Sequence, residues 1–163
     1  MRRGQKQWYI TAAMELGHTS HSVYKIRYHM VTAVKYRKVL LNEDVEASIR
    51  KTLKGITERY EIEIDEVGFD QNHIHIFCGS VPSMSPSEII NIIKSITARK
   101  IFEQFPKLKK TELWGGNFWS NGKYIGTVGE ATSEKTIRNY IKNQSMDKKQ
   151  IEPRMKQLKL FKL

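Results

Sequence analysis

An α+β fold of the ferredoxin-like type is predicted by three features of this 163-residue sequence. It is an antiparallel sheet with helices on one face, plus one further helix at the C-terminal end. First, apolar residues recur at period two or at three- to four-residue spacing in the order strand, helix, strand, strand, helix, strand, helix. Second, the two central strands are separated only by Asp70-Gln71-Asn72, which makes them a hairpin. Third, the length suits one domain with a real hydrophobic core. Together these give the split βαβ pattern.

The first strand is read over Val23 to Tyr36, where β-branched and aromatic residues run without helix punctuation. Val45, Ile49, Leu53, Ile56 and Tyr60 follow as the apolar stripe of an amphipathic helix. Glu61 to Phe69 alternates, with Ile62, Ile64 and Glu66 on one face and Glu61, Glu63 and Asp65 on the other. His73 to Val81 is its hairpin partner. Ser85-Pro86-Ser87-Glu88 starts the next helix: Ser85 caps, Pro86 takes the first helical position and Glu88 completes a capping box. Ile89, Ile92, Ile93 and Ile96 form its buried stripe, and Pro106 ends it. Leu113 to Val128 holds one or two more strands among glycine turns. Thr132 or Ser133 then caps a last helix carrying Ile137, Tyr140, Ile141 and Gln144.

Residues 1–20 read as a polar extension, 21–145 as the domain, and 146–163 as a basic tail. There is no internal repeat and no low-complexity block.

Charge bounds the function. Lys and Arg number 28 against 17 Asp and Glu, a net +11, and an anionic partner is the commonest reason for such an excess. Aromatic residues, 10% of the chain, are interleaved with these cations, as in proteins that stack single-stranded bases in a cationic groove. A basic surface kept for solubility is the plainer reading. Cys78 is the sole cysteine, which excludes an intrachain disulfide framework and a cysteine-rich zinc site. Trp8 to Leu16 is too short and too polar for a secretory signal, and nothing approaches a membrane span. The expectation is a cytoplasmic protein.

His73-Ile74-His75 is the sharpest local feature. On a strand, side chains two apart share a face, with Cα atoms roughly 6.6 Å apart. Two imidazoles can thus converge on one metal ion, although two histidines on a solvent-facing strand would read the same way. Tyr140 and Gln144, four apart, stack one turn from each other on the last helix. Taken alone, Tyr140 reads first as core, continuing the stripe of Ile137 and Ile141.

The combination points to phosphodiester chemistry. A phenol with pKa near 10 is a poor nucleophile at neutral pH, so it needs the charge developing on phosphate neutralised. A metal with uncharged nitrogen and oxygen ligands keeps its charge for that task, and such a mixed set suits Mg²⁺ or Mn²⁺. A covalent phosphotyrosine conserves the phosphodiester energy, so rejoining needs no nucleotide. Consistently, no P-loop is present: Gly116 and Gly122-Lys123-Tyr124 have the wrong spacing and lack the Ser or Thr.

These motifs resemble the single-tyrosine transposases of the insertion-sequence 200/605 family, within the HUH endonuclease superfamily. His73-Ile74-His75 is similar to the family's histidine–hydrophobic–histidine motif, and Tyr140 with Gln144 to its Tyr-x-x-x-Gln helix. Val23-Tyr24-Lys25 through Tyr28-His29, with Lys35-Tyr36-Arg37, resembles its first-strand signature, and Trp114 to Trp119 its late aromatic stretch. The match covers residues 21 to 145 in order. It implies that His73, His75 and Gln144 are metal ligands and Tyr140 the nucleophile. It also implies single-stranded DNA with terminal hairpins as substrate, a 5′-phosphotyrosine intermediate, and a homodimer with composite active sites.

Other residues are read more plainly. His29 lies in a strand and reads as structural, while His18 and His21 have no evident ligand partner. Tyr124 suits packing as well as DNA contact. Arg37, Lys38, Arg99, Lys100, Lys109 and Lys110 are candidate nucleic-acid contacts, or else a solvated face. Two alternatives remain. A replication-initiator or relaxase-like nickase would usually bring a third histidine and an early tyrosine. A non-catalytic nucleic-acid-binding module would leave Tyr140 and Gln144 unexplained.

Overall fold

The computed structural model describes residues 17–129 and 134–144, with backbone alone for residues 134, 135 and 144. The expected caps Thr132 and Ser133 and the basic tail from 146 lie outside the described residues. Strands β1 (Gly17–His18) and β2 (Val23–Tyr24) pair as a small ribbon. The main sheet contains β3 (Arg27–Ala33), β4 (Ile62–Phe69), β5 (His73–Ser80) and β6 (Tyr124–Thr127). Its spatial order is β4-β5-β3-β6 with every pair antiparallel, the order the split βαβ pattern demands.

Within the 1–20 extension, Gly17 and His18 form β1. One boundary differs from expectation. The long strand over Val23 to Tyr36 is broken after Tyr24 and stops at Ala33. Beyond Ala33 the chain cannot stay extended: Tyr36 and Arg37 have φ of 60° and 51°. The Val34 amide still donates in register to the Asn72 carbonyl and the Lys35 amide to that of Phe118, each at 2.8 Å, before the chain turns away at Tyr36.

Helix α1 (Glu43–Arg59) is capped by Asn42, whose side chain accepts from the Val45 amide at 3.0 Å. It buries Val45, Ile49, Leu53 and Ile56 as expected, whereas Tyr60 lies past its end and is exposed. Helix α2 (Pro86–Gln104) begins as read, with Ser85 accepting from the Glu88 amide at 3.2 Å. Its buried face is turned slightly. Ile89, Ile90, Ile93 and Ile101 are fully buried, while Ile92 and Ile96 pack at the margin. Both helices cover the sheet face carrying Met30, Ile74, Ile76 and Cys78. Trp119 Nε1 donates to buried Thr97 Oγ1 at 2.9 Å, tying α2 to the segment that precedes β6. Between Leu113 and Val128, β6 is the one described strand, with an isolated bridge between Val34 and Trp119.

Helix α3 (Glu134–Gln144) lies on the opposite face, where Ile141 packs on Phe77 and Val128. A bulge at Asp65 shifts the register of β4 between Ile64 and Glu66. Glu66 is therefore not on the face of Ile62 and Ile64, as strict alternation requires. It faces α3, with Lys142 Nζ 3.6 Å from its carboxylate.

Candidate active site

Because alternate residues of a strand share a face, β5 sends Ile74, Ile76 and Cys78 into the core and His73, His75 and Phe77 toward α3. On β4 the residue paired with His75 is Gly68. A Cβ at Gly68 would run into the Ile141 carbonyl, so the missing side chain lets the backbone of α3 settle beside His75. Tyr140 is carried in with it. Its ring centre lies 5.5 Å from that of His75 and 6.4 Å from that of His29.

His75 is buried, and its Nδ1 is 3.0 Å from His29 Nε2, with the two rings stacked at 17°. Its Nε2 is also buried and has no partner among the described residues. The His73 ring centre is 5.0 Å from that of His75. Its Nδ1 is 2.8 Å from Asn72 Oδ1, an acceptor, so that nitrogen carries the proton and Nε2 keeps its lone pair. Asp70 Oδ2 is 3.8 Å from that Nε2.

Electrostatics keep this site uncharged. Burial pushes His29 down to about 4. Burial also holds His75 well below the ordinary histidine range, helped by its two histidine neighbours. His73 is lowered by burial and by the Arg37 guanidinium, against the opposing pull of Asp70. Neutral imidazoles with free lone pairs are the form that ligates a metal. Burial, and then the Asp70 carboxylate, raises the Tyr140 phenol above its usual value. Losing its proton therefore requires positive charge nearby. Among the described residues no cluster of three or more His, Cys, Asp or Glu is placed to hold a metal. An ion here would have to be completed by another kind of donor, as an amide oxygen would do. Gln144 ends α3, and its side chain lies outside the described residues. The donor set thus fits a divalent ion: two neutral imidazoles, one of them with an orphaned buried Nε2, and a nearby carboxylate.

The structure brings His73, His75 and Tyr140 together, with Arg37 close enough to act on His73. It does not bring the remaining expected cations there. Arg99 and Lys100 sit on α2, across the sheet, and both pair with Glu103. Lys109 lies over the Phe102 ring, and Lys110 shares its helical turn, Leu108–Glu112. Lys38 pairs with Glu112 at 3.1 Å. A cleft of about 760 Å³ between α2 and residues 115–121 takes in Lys94, Arg99 and Lys109, away from the histidines. Cys78 points into the core, where burial pushes its thiol up to about 12 and leaves it inert. Three residues were not legible as parts of this site: His29, read as structural; Asp70, read as a turn; and Gly68. His29 and Gly68 depend on strand register, which the sequence does not print, and Asp70 on the side-chain geometry of the turn.

Residues 22–144 match the family model described as IS200-like transposase. The chain belongs to that family. It is 29% identical over 136 residues to the ISDra2 transposase TnpA of Deinococcus radiodurans, covering 83% of this chain and 96% of that one. It is 30% identical over 125 residues to the transposase for insertion sequence element IS200 of Salmonella typhimurium, covering 77% and 80%. A solved transposase structure from D. radiodurans R1 superposes with TM-score 0.64 at 30% identity, covering 80% of this chain and 99% of that one. A REP-associated tyrosine transposase, solved bound to a REP hairpin, shares the fold at TM-score 0.50 and 13% identity, with coverage of 78% and 70%. This IS200-like transposase is an enzyme that acts on DNA, and no helix among its described residues is long and apolar enough to cross a membrane.

Proposed function

We propose that this transposase cleaves and rejoins single-stranded DNA at insertion-sequence ends, with Tyr140 as nucleophile and His73, His75 and Gln144 as ligands of Mg²⁺ or Mn²⁺. The observation that carries this reading is the orphaned, buried Nε2 of His75, beside His73 and beneath Tyr140. A buried nitrogen without a partner costs stability, and a site that retains one has a use for it. His29 holds the His75 ring from behind: with Nδ1–H donated to His29 Nε2, the His75 Nε2 lone pair faces outward.

In the reaction the Tyr140 Oη attacks phosphorus. The Oη–P bond forms as the P–O3′ bond breaks, the phenol proton passes to water, and the departing 3′-oxygen takes one up. The 5′ end is left as a phosphotyrosine that a later 3′-hydroxyl can reverse. When bound, the cation supplies the positive charge that offsets charge on the phosphate oxygens and the phenol. Asp70, Asn72 and His29 orient the two imidazoles. α3 carries Tyr140 against His75 and leaves its ring partly open to water.

Terminal hairpins are the proposed recognition element, in keeping with the family and with the hairpin in the REP-associated relative. The protein is proposed to work in the cytoplasm as a homodimer. Within one chain Tyr140 already stands over its own histidines, so each copy carries a histidine–tyrosine pair. The test is incubation with labelled hairpin-bearing single-stranded DNA and Mg²⁺. A covalent protein–DNA product on a denaturing gel is expected, and its absence with an active metal and folded protein overturns the reading.

A further inference from the structure

Backbone strain among the described residues is gathered in two adjacent segments. Among the described residues, the non-glycine residues with positive φ are Tyr36, Arg37 and Trp114, at 60°, 51° and 47°. A bulky side chain in that region costs roughly 1–2 kcal/mol, and such strain clusters where a side chain must be aimed for use. Here it aims aromatic rings at solvent: Tyr36 is 64% exposed and Trp114 79%. Neither ring covers the core. Each has a cation near its ring centre, Lys35 at 5.3 Å from Tyr36 and Lys38 at 5.8 Å from Trp114. The two segments are adjacent, because Lys35 donates to the Phe118 carbonyl and its ammonium lies beside Gly116.

The Tyr36 end of this patch adjoins the candidate active site. Ala33 pairs with His73, and Val34 donates to Asn72. Tyr36 is three residues past Ala33, at most about 11 Å of chain. Arg37, next to Tyr36 in the chain, is close enough to lower the affinity of His73 for a proton. A nucleic-acid strand advances about 3.4 Å per stacked nucleotide, so three or four nucleotides span the gap.

We infer that Tyr36 and Trp114 form a stacking platform for unpaired bases of the DNA strand that flanks the scissile phosphate, with Lys35, Arg37 and Lys38 facing its phosphates. The inference rests on the activity proposed for His73, His75 and Tyr140. Exposed rings beside cations fit single-stranded nucleic acid because every base offers a π-face, whereas a duplex hides its faces. Glu112, paired with Lys38, and Asp70, at the His73 edge, are the acidic groups flanking the patch. Neither lies between Tyr36 and Arg37.

The test uses the full chain, a fluorescent oligothymidylate of roughly 15 nucleotides and its abasic counterpart, which keeps the phosphates and lacks the bases. Trp114→Ala and Tyr36→Ala should each weaken binding of the base-containing strand roughly five- to a hundredfold. Trp114→Phe should recover most of that loss. On the abasic strand, wild type and both alanine variants should bind alike. Arg37→Ala should weaken both strands and reduce the salt slope by about one, while Trp114→Ala leaves the slope unchanged. Equal losses on both strands, losses as large on duplex, or no loss at all would overturn the platform. Tyr140→Phe separates the two readings. Base-dependent binding by that variant without an adduct supports both. Adduct formation by wild type with base-independent binding sinks the platform alone. No binding of either strand by folded wild type overturns the platform, while absence of adduct from hairpin-bearing DNA overturns the activity.

Discussion

His29 Nε2 and His75 Nδ1 are 3.0 Å apart in a buried, nearly parallel stack, so the ring orientation of one proposed ligand is set by a residue on the neighbouring strand. His29→Leu removes the acceptor and leaves the His75 ring free to take the wrong tautomer. Loss of such a partner typically weakens metal binding roughly 10- to 100-fold. Titration calorimetry with Mn²⁺ should show that weakening with the circular-dichroism spectrum unchanged. His29→Gln, which retains an acceptor, should lose less. Unaltered Mn²⁺ affinity in both variants would reduce His29 to packing.

The same burial makes stability sensitive to pH. His29 falls from 6.5 to about 4 in the folded protein, so the unfolded chain protonates first as pH drops. The contribution is fully present above pH 6.5 and declines as pH falls toward 4. The shift is worth on the order of 3 kcal/mol. His75 moves in the same direction and steepens the decline. Denaturant midpoints measured from pH 7 to 4 should fall, and His29→Leu should flatten part of that fall. A pH-independent wild type would show that the histidines are not held neutral.

Gly68 offers a test of how α3 reaches the site. A methyl group there collides with the Ile141 carbonyl, and backbone cannot swing aside as a side-chain tip can. Gly68→Ala should push α3 off the sheet, sharply reducing covalent adduct while Mn²⁺ binding at the histidines falls much less. Normal adduct formation would mean that α3 acts from another position.

How much of this was legible beforehand follows from which forces act locally. The Ser85 cap, the α1 stripe from Val45 to Ile56 and the hairpin at residues 70–72 rest on neighbours in sequence, and they stand where patterning placed them. The end of β3 was not legible, because the positive-φ turn at Tyr36 and Arg37 falls in a run of residues with no glycine or other turn signal to mark it. His73-Ile74-His75 declares its shared face through period two alone. His29 joins that face only through the β3–β5 register, and Gly68 only through the β4–β5 register. Asp65 misled the reading by one residue, since a bulge leaves no mark in alternation.

Thr97 and Trp119 concern stability alone. Thr97→Val keeps the shape of the side chain and removes the acceptor of the Trp119 indole N–H, leaving a buried donor unsatisfied. The cost should be about 1–3 kcal/mol in denaturant unfolding, with catalysis unaffected at temperatures where the variant is folded. A neutral effect would mean that water reaches the indole nitrogen.

The two histidines and the tyrosine are separable by their losses. His73→Ala and His75→Ala should abolish adduct while leaving hairpin binding largely intact. Gln144→Ala should be milder, since water can replace a neutral oxygen ligand. Tyr140→Phe removes one oxygen and keeps a half-buried ring against His75 and His29, so a packing role predicts no functional loss. The proposed mechanism instead requires normal folding, normal hairpin affinity and no covalent product, because the nucleophile is gone. Adduct formed by Tyr140→Phe would show that another residue attacks. Mixing Tyr140→Phe with His73→Ala then locates the pair. In the single chain, Tyr140 and His75 ring centres are already 5.5 Å apart. If that arrangement is the working one, every chain in the mixture lacks one half of its site and no adduct forms. Adduct regained in the mixture would place the working tyrosine and histidines on different copies of the homodimer.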